Sequence, residues 1–446
     1  MLFKNRDKII ENGQTFQLKE ARKDILDIFS SSIEAVNPYY TVKSKFRDNK
    51  IVFRSKTFDT SEFKNIYLVG FGKASVGMAK AVCDSINVKA GAIITNKSFQ
   101  NTEINCVDIL EGGHPIPDKN SIDSTKKILD IIKKCNEDDL LIVLISGGGS
   151  ALLCKPRVNL DDIQITTDFL LKSGANISEI NTIRKHLSFV KGGQLAALTK
   201  CTIISFIISD IINDPIEFIA SGPTFSDSTT FSDAQDIIKK YNLWLKVPPT
   251  IRDVIGNGIV GKIPETPKKG DPVFTNVFNF LVANNDIACN SAEEKAEELG
   301  YKTMIVTTHL EGEAKEVGKY LVDKAINYLT NSKKIAFISG GETTVTIKGK
   351  GIGGRNQEMV LSGISELADK DVVFSSFATD GIDGKCDSAG AIADSYSLSR
   401  ANKLGLDPIS FLEENNSNKF FKLLEDLLIT GPTGTNVMDL QILIKI

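Results

Sequence analysis

Lys73, Arg355 and Asp380 are the residues of this chain whose type and setting could do chemistry on an anionic substrate. Lys73 stands in VGFGKASVG (69–77), after a short apolar run and at the start of the next helix, which puts its ammonium near whatever the loop binds; a plain surface lysine is the alternative. Arg355, in GIGGRNQE, offers a planar fork that can grip carboxylate or phosphate in two parallel hydrogen bonds. A salt bridge to Glu358 or another local acid is its plain reading. Asp380 opens TDGIDGKCD after the run VVFSSFA, where it can hold magnesium or act as a base, while Asp383 and Asp387 also fit as turn formers. Asp210 and Asp214 in ISDIINDP could hold magnesium, orient a hydroxyl or cap a helix. His114 in EGGHPIPD either touches substrate or is a positioned loop residue, and His186 reads as packed or capping. With no second His at ligand spacing and no paired Cys, a zinc site is not expected.

Five glycine-rich strand ends surround these residues: VGFGKASVG, ISGGGSA (145–151), ISGGETT (338–344), ATDGIDG (378–384) and ITGPTGTN (429–436). Glycine lets backbone N–H groups approach phosphate oxygens with no Cβ in the way, although each loop alone could be a tight β-to-α turn. No loop is a Walker A, because GxxxxGK followed by Ser or Thr is absent, and Gly70-x-Gly72 with Ser75 and Gly77 is not GxGxxG. One echo stands out: LIVLISGGGS and KIAFISGGET each run a strand into Ser-Gly-Gly, which predicts similar loops in the two halves.

The elements that must position these loops are runs rich in Ile, Val and Phe at 66–72, 91–95, 140–145, 203–209, 280–283, 303–307, 335–339, 372–378 and 427–429. Helical patterns between them include 291–300, with Asn290 or Ser291 as cap, and predict α/β domains with largely parallel sheets covered by helices. Residues 18–37 read as an amphipathic packing helix with the stripe Ile25, Ile28, Phe29, Ile33 and Val36. The Pro- and Gly-rich stretch 251–272 reads as a linker between a Rossmann-like domain, 1–250, and a C-terminal domain, 273–446. A length of 446 residues suits two or three domains, and 53 basic against 56 acidic residues leave no field for nucleic acid or an anionic membrane. Seven scattered cysteines suggest a reducing compartment, no run is long enough for a membrane span, and the N-terminus lacks a secretory pattern, so the cytoplasm is expected.

EGGHPIPD, ISGGGSALL, NTIRKHLSFVKGGQLA, SDIINDPIEFIASGPT, ISGGETTVTIKGKGIGGRNQE, ATDGIDGKCDSAGA and TGPTGTNVMDL together resemble the class II glycerate kinases, the glycerate 2-kinase family whose C-terminal part is called the MOFRL domain. The resemblance runs from about residue 20 to 440 and implies two α/β domains with a ligand cleft between them. It implies transfer of the γ-phosphoryl of ATP to D-glycerate with Mg2+, giving 2-phosphoglycerate; because some members were labelled hydroxypyruvate reductases, NAD(P)H-dependent reduction is the alternative. Lys73 and Arg355 match the family's active-site lysine and arginine, and Asp380 the acid of its TDG turn, for which the resemblance implies a magnesium-ligand role. Gly72, Ser75, His114, Ser146, Gly147, Gly148, Gly149, Ser150, Asp210, Gly340, Gly341, Glu342 and Asn356 are the expected substrate- or nucleotide-binding positions. Expected partners are small molecules, with a homodimer left open. The chain departs from the family pattern at Gln194, Asn213 and Met438, where Arg, Gly and Asn are usual.

Overall fold

The computed structural model describes residues 1–96, 102–329 and 334–446. Contacts divide the chain into a unit of residues 38–209 with 214–282 and a second of residues 1–37, 210–213 and 283–446. The stretch 251–272 is therefore not a linker. Its start belongs to helix Pro249–Ile259, which buries Ile251 and Ile255 and packs on helix Phe231–Lys240, while Thr266 donates to buried Asp227. Its prolines and glycines mark turns inside the first unit, which the chain leaves briefly at 210–213 and finally at the end of a strand near residue 283.

That first unit carries a small antiparallel sheet, β1 (Phe46–Arg47), β2 (Lys50–Val52) and β3 (Thr57–Asp59). Its main sheet comprises β4 (Ile66–Phe71), β5 (Ala90–Thr95), β6 (Val107–Glu111), β7 (Leu140–Ile145), β8 (Thr202–Ile208) and β9 (Val277–Ala283) in the order β6-β5-β4-β7-β8-β9. The pairs from β6 to β8 are all parallel. Being covered on both faces, β4 and β7 are buried at every position, which is why their sequences are nearly continuous apolar runs. In this doubly wound order the direction of winding reverses between β4 and β7, so the loops that follow them part and leave a crevice at the carboxyl ends. Register runs from Ile66 opposite Leu140 to Phe71 opposite Ile145, so both loops start level with one another.

The second unit corrects the expectation of largely parallel sheets. Its strands β10 (Lys302–Leu310), β11 (Ile335–Gly341), β12 (Val372–Ala378), β13 (Gly390–Asp394), β14 (Leu427–Leu428) and β15 (Asp439–Lys445) take the order β10-β11-β15-β12-β13-β14. Only β10 and β11 are parallel. The connection from β12 to β13 holds no helix, and a crossover to a parallel neighbour needs one or its length in chain, so β13 returns antiparallel.

Helix Phe16–Ala35 also belongs to the second unit, capped by Thr15, whose hydroxyl accepts the Leu18 N–H. Ile25, Ile28, Phe29, Ile33 and Val36 are all buried, as the stripe predicts, and the helix packs on helix Asn285–Glu298. That partner starts earlier than its pattern suggests, capped by Asn284 rather than Asn290 or Ser291. Arg22, fully buried, donates to Asp394 and Asp426 at 2.7 Å each and to the Ile9 carbonyl at 3.0 Å. Removing it leaves buried Asp394 without a cationic partner among the described residues, and leaves Asp426 with Arg400 alone. Arg22→Met is expected to lower stability by about 3–5 kcal/mol, read as a shift of the urea midpoint by circular dichroism; an unmoved midpoint would mean that Asp394 and Asp426 do not depend on Arg22.

Candidate active site

The loops after β4 and β7 hold each other through main-chain bonds. The Lys73 N–H donates to the Gly147 carbonyl at 2.9 Å, and the Ala74 N–H donates to Ser146 Oγ at 3.1 Å. Gly72 is required here because, at φ 131, a Cβ would lie 2.1 Å from Ser146 Oγ. Its role in the structure is thus close packing of the two loops. Ser75 turns inward, its hydroxyl donating to the Gly72 carbonyl at 2.8 Å. Gly148 is different: the space beside its Cα, at φ 84, meets the His114 ring at 3.0 Å and Lys73 Cγ at 3.6 Å. Lys73, His114 and Gly148 therefore converge on one point at the switch of the sheet. Burial, helped by the Lys73 charge, holds the His114 imidazole below its ordinary value and so neutral at pH 7. Gly149 packs on Ala220 and Phe71, and Ser150 Oγ lies 2.9 Å from Ser221 Oγ. His186 is a packed residue, fully buried with its ring edge-on to Phe231.

In the other unit, Arg355 opens helix Arg355–Ser362. Its Nε and one terminal nitrogen grip Asp439, the latter at 3.0 Å, and its other terminal nitrogen donates to Glu342. Glu358, the local acid considered from the sequence, instead accepts from Asn415 Nδ2 at 3.1 Å. Asp383 is buried below the helix start and accepts four bonds, from Asn356 N and Nδ2 and from Gln357 N and Nε2, between 2.8 and 3.2 Å. That carboxylate satisfies N–H groups which the helix itself cannot, and it fixes both Asn356 and the base of Arg355. Asp380 accepts the Ile382 N–H at 3.0 Å, and its carbonyl accepts the Thr433 N–H at 3.1 Å. The turn that holds Asp380 is clasped to 435–438, since the Val437 N–H donates to Thr379 Oγ1 at 2.9 Å and the Thr379 N–H to the Met438 carbonyl at 3.1 Å. Asp210, in the same unit, receives Asn436 Nδ2 at 3.4 Å.

The predicted likeness of the two Ser-Gly-Gly loops does not hold. β7 stops at Ile145, whereas β11 continues through Gly340 and Gly341, which pair with Leu440 and Asp439 of β15. Gly340 packs on Asn285 and Gly341 on Leu310.

The arrangement can be set beside known proteins. Residues 24–256 match the model of a domain of unknown function, DUF4147, and residues 335–439 match the MOFRL family. A glycerate 2-kinase of Pyrococcus horikoshii is 42% identical over 428 residues, which cover 94% of this chain and 96% of that one. The chain belongs to the glycerate 2-kinase family. A crystal structure of glycerate kinase from Thermotoga maritima superposes with a TM-score of 0.85 at 36% identity, covering 96% of this chain and all of that one. A putative hydroxypyruvate reductase of Agrobacterium vitis is 36% identical over 450 residues, covering 98% of each chain.

Against the glycerate 2-kinase pattern, the three departures have distinct settings. Asn213 adopts φ 65, the left-handed conformation that Gly or Asn takes readily. Gln194 accepts from Arg157 at 2.6 Å and donates to the carbonyls of Lys185 and Lys191. Met438 is buried at φ 70, where an unbranched side chain has no way to offset the backbone strain by local hydrogen bonding as Asn can. Three residues of the candidate site escaped the sequence reading: Asp439, Asn285 and Asn436. Asn285 donates to the carbonyls of Val437 at 2.8 Å and Asp439 at 3.0 Å, holding both flanks of Met438. Asp439 had one legible signal, an acid opening a strand whose other residues are mostly apolar.

Burial pushes the Asp439 carboxyl up, to about 7, against the pull of Arg355, with Asp383 and Glu342 adding repulsion. A folded value above the ordinary carboxylate range gives stability that is full at about pH 4 and lost as pH rises through the folded value. Asp439→Asn cannot titrate. Its stability is expected to vary less than that of the wild type between about pH 4 and about pH 7.5, measured by urea unfolding across that range; parallel curves would remove Asp439 as the titrating group.

Proposed function

We propose that this chain is a glycerate 2-kinase, transferring the γ-phosphoryl of ATP to a hydroxyl of D-glycerate and releasing 2-phosphoglycerate and ADP. The observation that carries the reading is the 42% identity to a glycerate 2-kinase across nearly the whole of both chains. Phosphoryl transfer asks the protein mainly for positioning and for charge aimed at the moving group. Lys73, beside Gly148, supplies a cation for the transferring phosphoryl, and the neutral His114 can share a hydrogen bond there without adding charge. The backbone of 146–150 is the cradle we assign to nucleotide phosphates. Arg355 has five N–H donors, and three are committed to Asp439 and Glu342 among the described residues. The outward edge of the guanidinium is then the part that holds the substrate carboxylate or the phosphoryl group, while the two acids fix its plane.

Magnesium fits this donor set as a metal carried with the nucleotide. Asp380 and Asp210 are hard oxygen donors of the kind it prefers, and among the described residues no three His, Cys, Asp or Glu side chains gather to hold a metal. Asp380 would hold it, with Asp210 near Asn436 as the second carboxylate, and when bound it neutralises phosphate charge. Asp380 is otherwise the base that accepts the hydroxyl proton. Asp380→Asn is expected to lower turnover by about 10²- to 10⁴-fold with the fold intact. Recovery with manganese in place of magnesium assigns the ligand role, no recovery assigns the base, and near-normal turnover removes Asp380 from the mechanism.

Reduction of hydroxypyruvate is disfavoured by Gly72, which faces Ser146 where a dinucleotide loop would need its glycine against pyrophosphate. Purified protein is expected to form ADP and 2-phosphoglycerate from glycerate, ATP and magnesium, and not to oxidise NADH or NADPH with hydroxypyruvate. The reverse result would replace the kinase by the reductase. All seven cysteines are free thiols, which supports a cytoplasmic location, and no helix among the described residues is long and apolar enough to cross a membrane. Light scattering on the same preparation decides the homodimer.

A further inference from the structure

The FVKGG stretch within NTIRKHLSFVKGGQLA has no part in the mechanism above, yet it holds a cation in an unusual setting. Lys191 is 6% exposed and donates from Nζ to the carbonyls of Ser150 at 2.6 Å and Leu153 at 3.0 Å. These carbonyls bracket the short turn that continues the Ser146–Gly148 loop. The backbone around Lys191 is itself fixed: the Gly192 and Gly193 N–H groups donate to the Ser221 and Gly222 carbonyls at 2.9 and 2.7 Å, and Gln194 Nε2 donates to the Lys191 carbonyl at 2.8 Å. Ser221 closes the ring by its hydroxyl contact with Ser150.

Among the described residues its two bonds go to carbonyls and no carboxylate pairs with this ammonium. Its charged neighbour is a second cation, Arg184 of helix Ile177–His186, and its titratable neighbour is the Cys154 thiol, pushed up by burial. Burial, reinforced by Arg184, lowers the Lys191 ammonium to about 8. A buried cation beside another cation costs free energy unless an anion supplies the missing charge, and a protein that keeps such an arrangement has a use for an anionic ligand. We infer that Lys191 is a positioning residue for phosphoryl transfer: it fixes the Ser146–Leu153 turn and, with Arg184, gives it a positive charge that the phosphates of the bound nucleotide complete. The inference rests on the kinase reading and adds to it the source of the loop's affinity.

The test is Lys191→Met, which keeps the apolar stem and removes the charge. The KM for ATP is expected to rise about tenfold or more, with kcat and the KM for glycerate changed by less than about threefold. In the wild type, ADP affinity by calorimetry should weaken as pH rises past about 8 while circular dichroism is unchanged, and the variant should lose that dependence. Of the groups around the loop, Arg184 keeps its charge over this range, His114 is already neutral, Cys154 is held above its ordinary value, and Lys73 is present in both proteins. An unchanged KM for ATP, or a rise confined to glycerate, overturns the inference. Should the variant not fold, a wild-type ADP affinity that is flat from about pH 7 to about pH 9.5 overturns it alone. A wild type that binds ADP with this pH dependence but phosphorylates no glycerate sinks the kinase reading and leaves the charged turn standing.

Discussion

Everything at the carboxyl edge of the first unit's main sheet depends on one constraint: two loops leaving adjacent parallel strands at the same height have to pass each other. Because β4 and β7 end level, the chain after Phe71 meets the chain after Ile145, and only a residue without a Cβ can stand at 72. The bonds from Lys73 and Ala74 to Gly147 and Ser146 follow from that approach, and so does the direction in which the lysine leaves the backbone. Gly72 and Gly149 thus serve the protein's own packing, whereas the bare Cα of Gly148 faces His114 and Lys73.

The second unit reaches a charged edge by another route. Placing β15 antiparallel between β11 and β12 brings Asp439 to the middle of the sheet's edge, next to the last residue of β11. Arg355 is then held from two sides by acids that come from strand ends, while Asp383 holds the helix that carries it. An arginine fixed in this way loses little further conformational freedom when it binds, which is how a half-exposed side chain becomes a precise one.

Much of this was readable from local pattern. β4, β7 and β12 are buried on both faces, so apolar continuity marked them well, and the helix from Phe16 showed its stripe and its cap region plainly. The loops carrying Lys73 and Asp380 were legible because each follows an apolar strand directly, and Arg355 because two glycines precede the helix it opens. What was not legible is long-range. No local feature of DLQILIK says that it pairs with two strands far earlier in the chain, so neither the antiparallel sheet nor the bond from Asp439 to Arg355 could be read. The same holds for 251–272, where Pro and Gly signal turns whether or not a domain ends there. Similar letters also misled: Ser-Gly-Gly became a loop after β7 and a strand in β11, because a neighbouring strand was present to pair with it only in the second case.

The N-terminal helix has a consequence for synthesis. Arg22 is synthesised well before its partner Asp426, which lies 404 residues later. At about 5–20 residues per second the wait is roughly 20–80 seconds. Throughout it, an amphipathic helix with a cation destined for burial must stay on the nascent chain without its partners, while residues 38–282 emerge and can complete their own sheet. Of the two units, the one begun first is therefore the one finished last, since helix Phe16–Ala35 gains its buried ion pair only when Asp426 is in place.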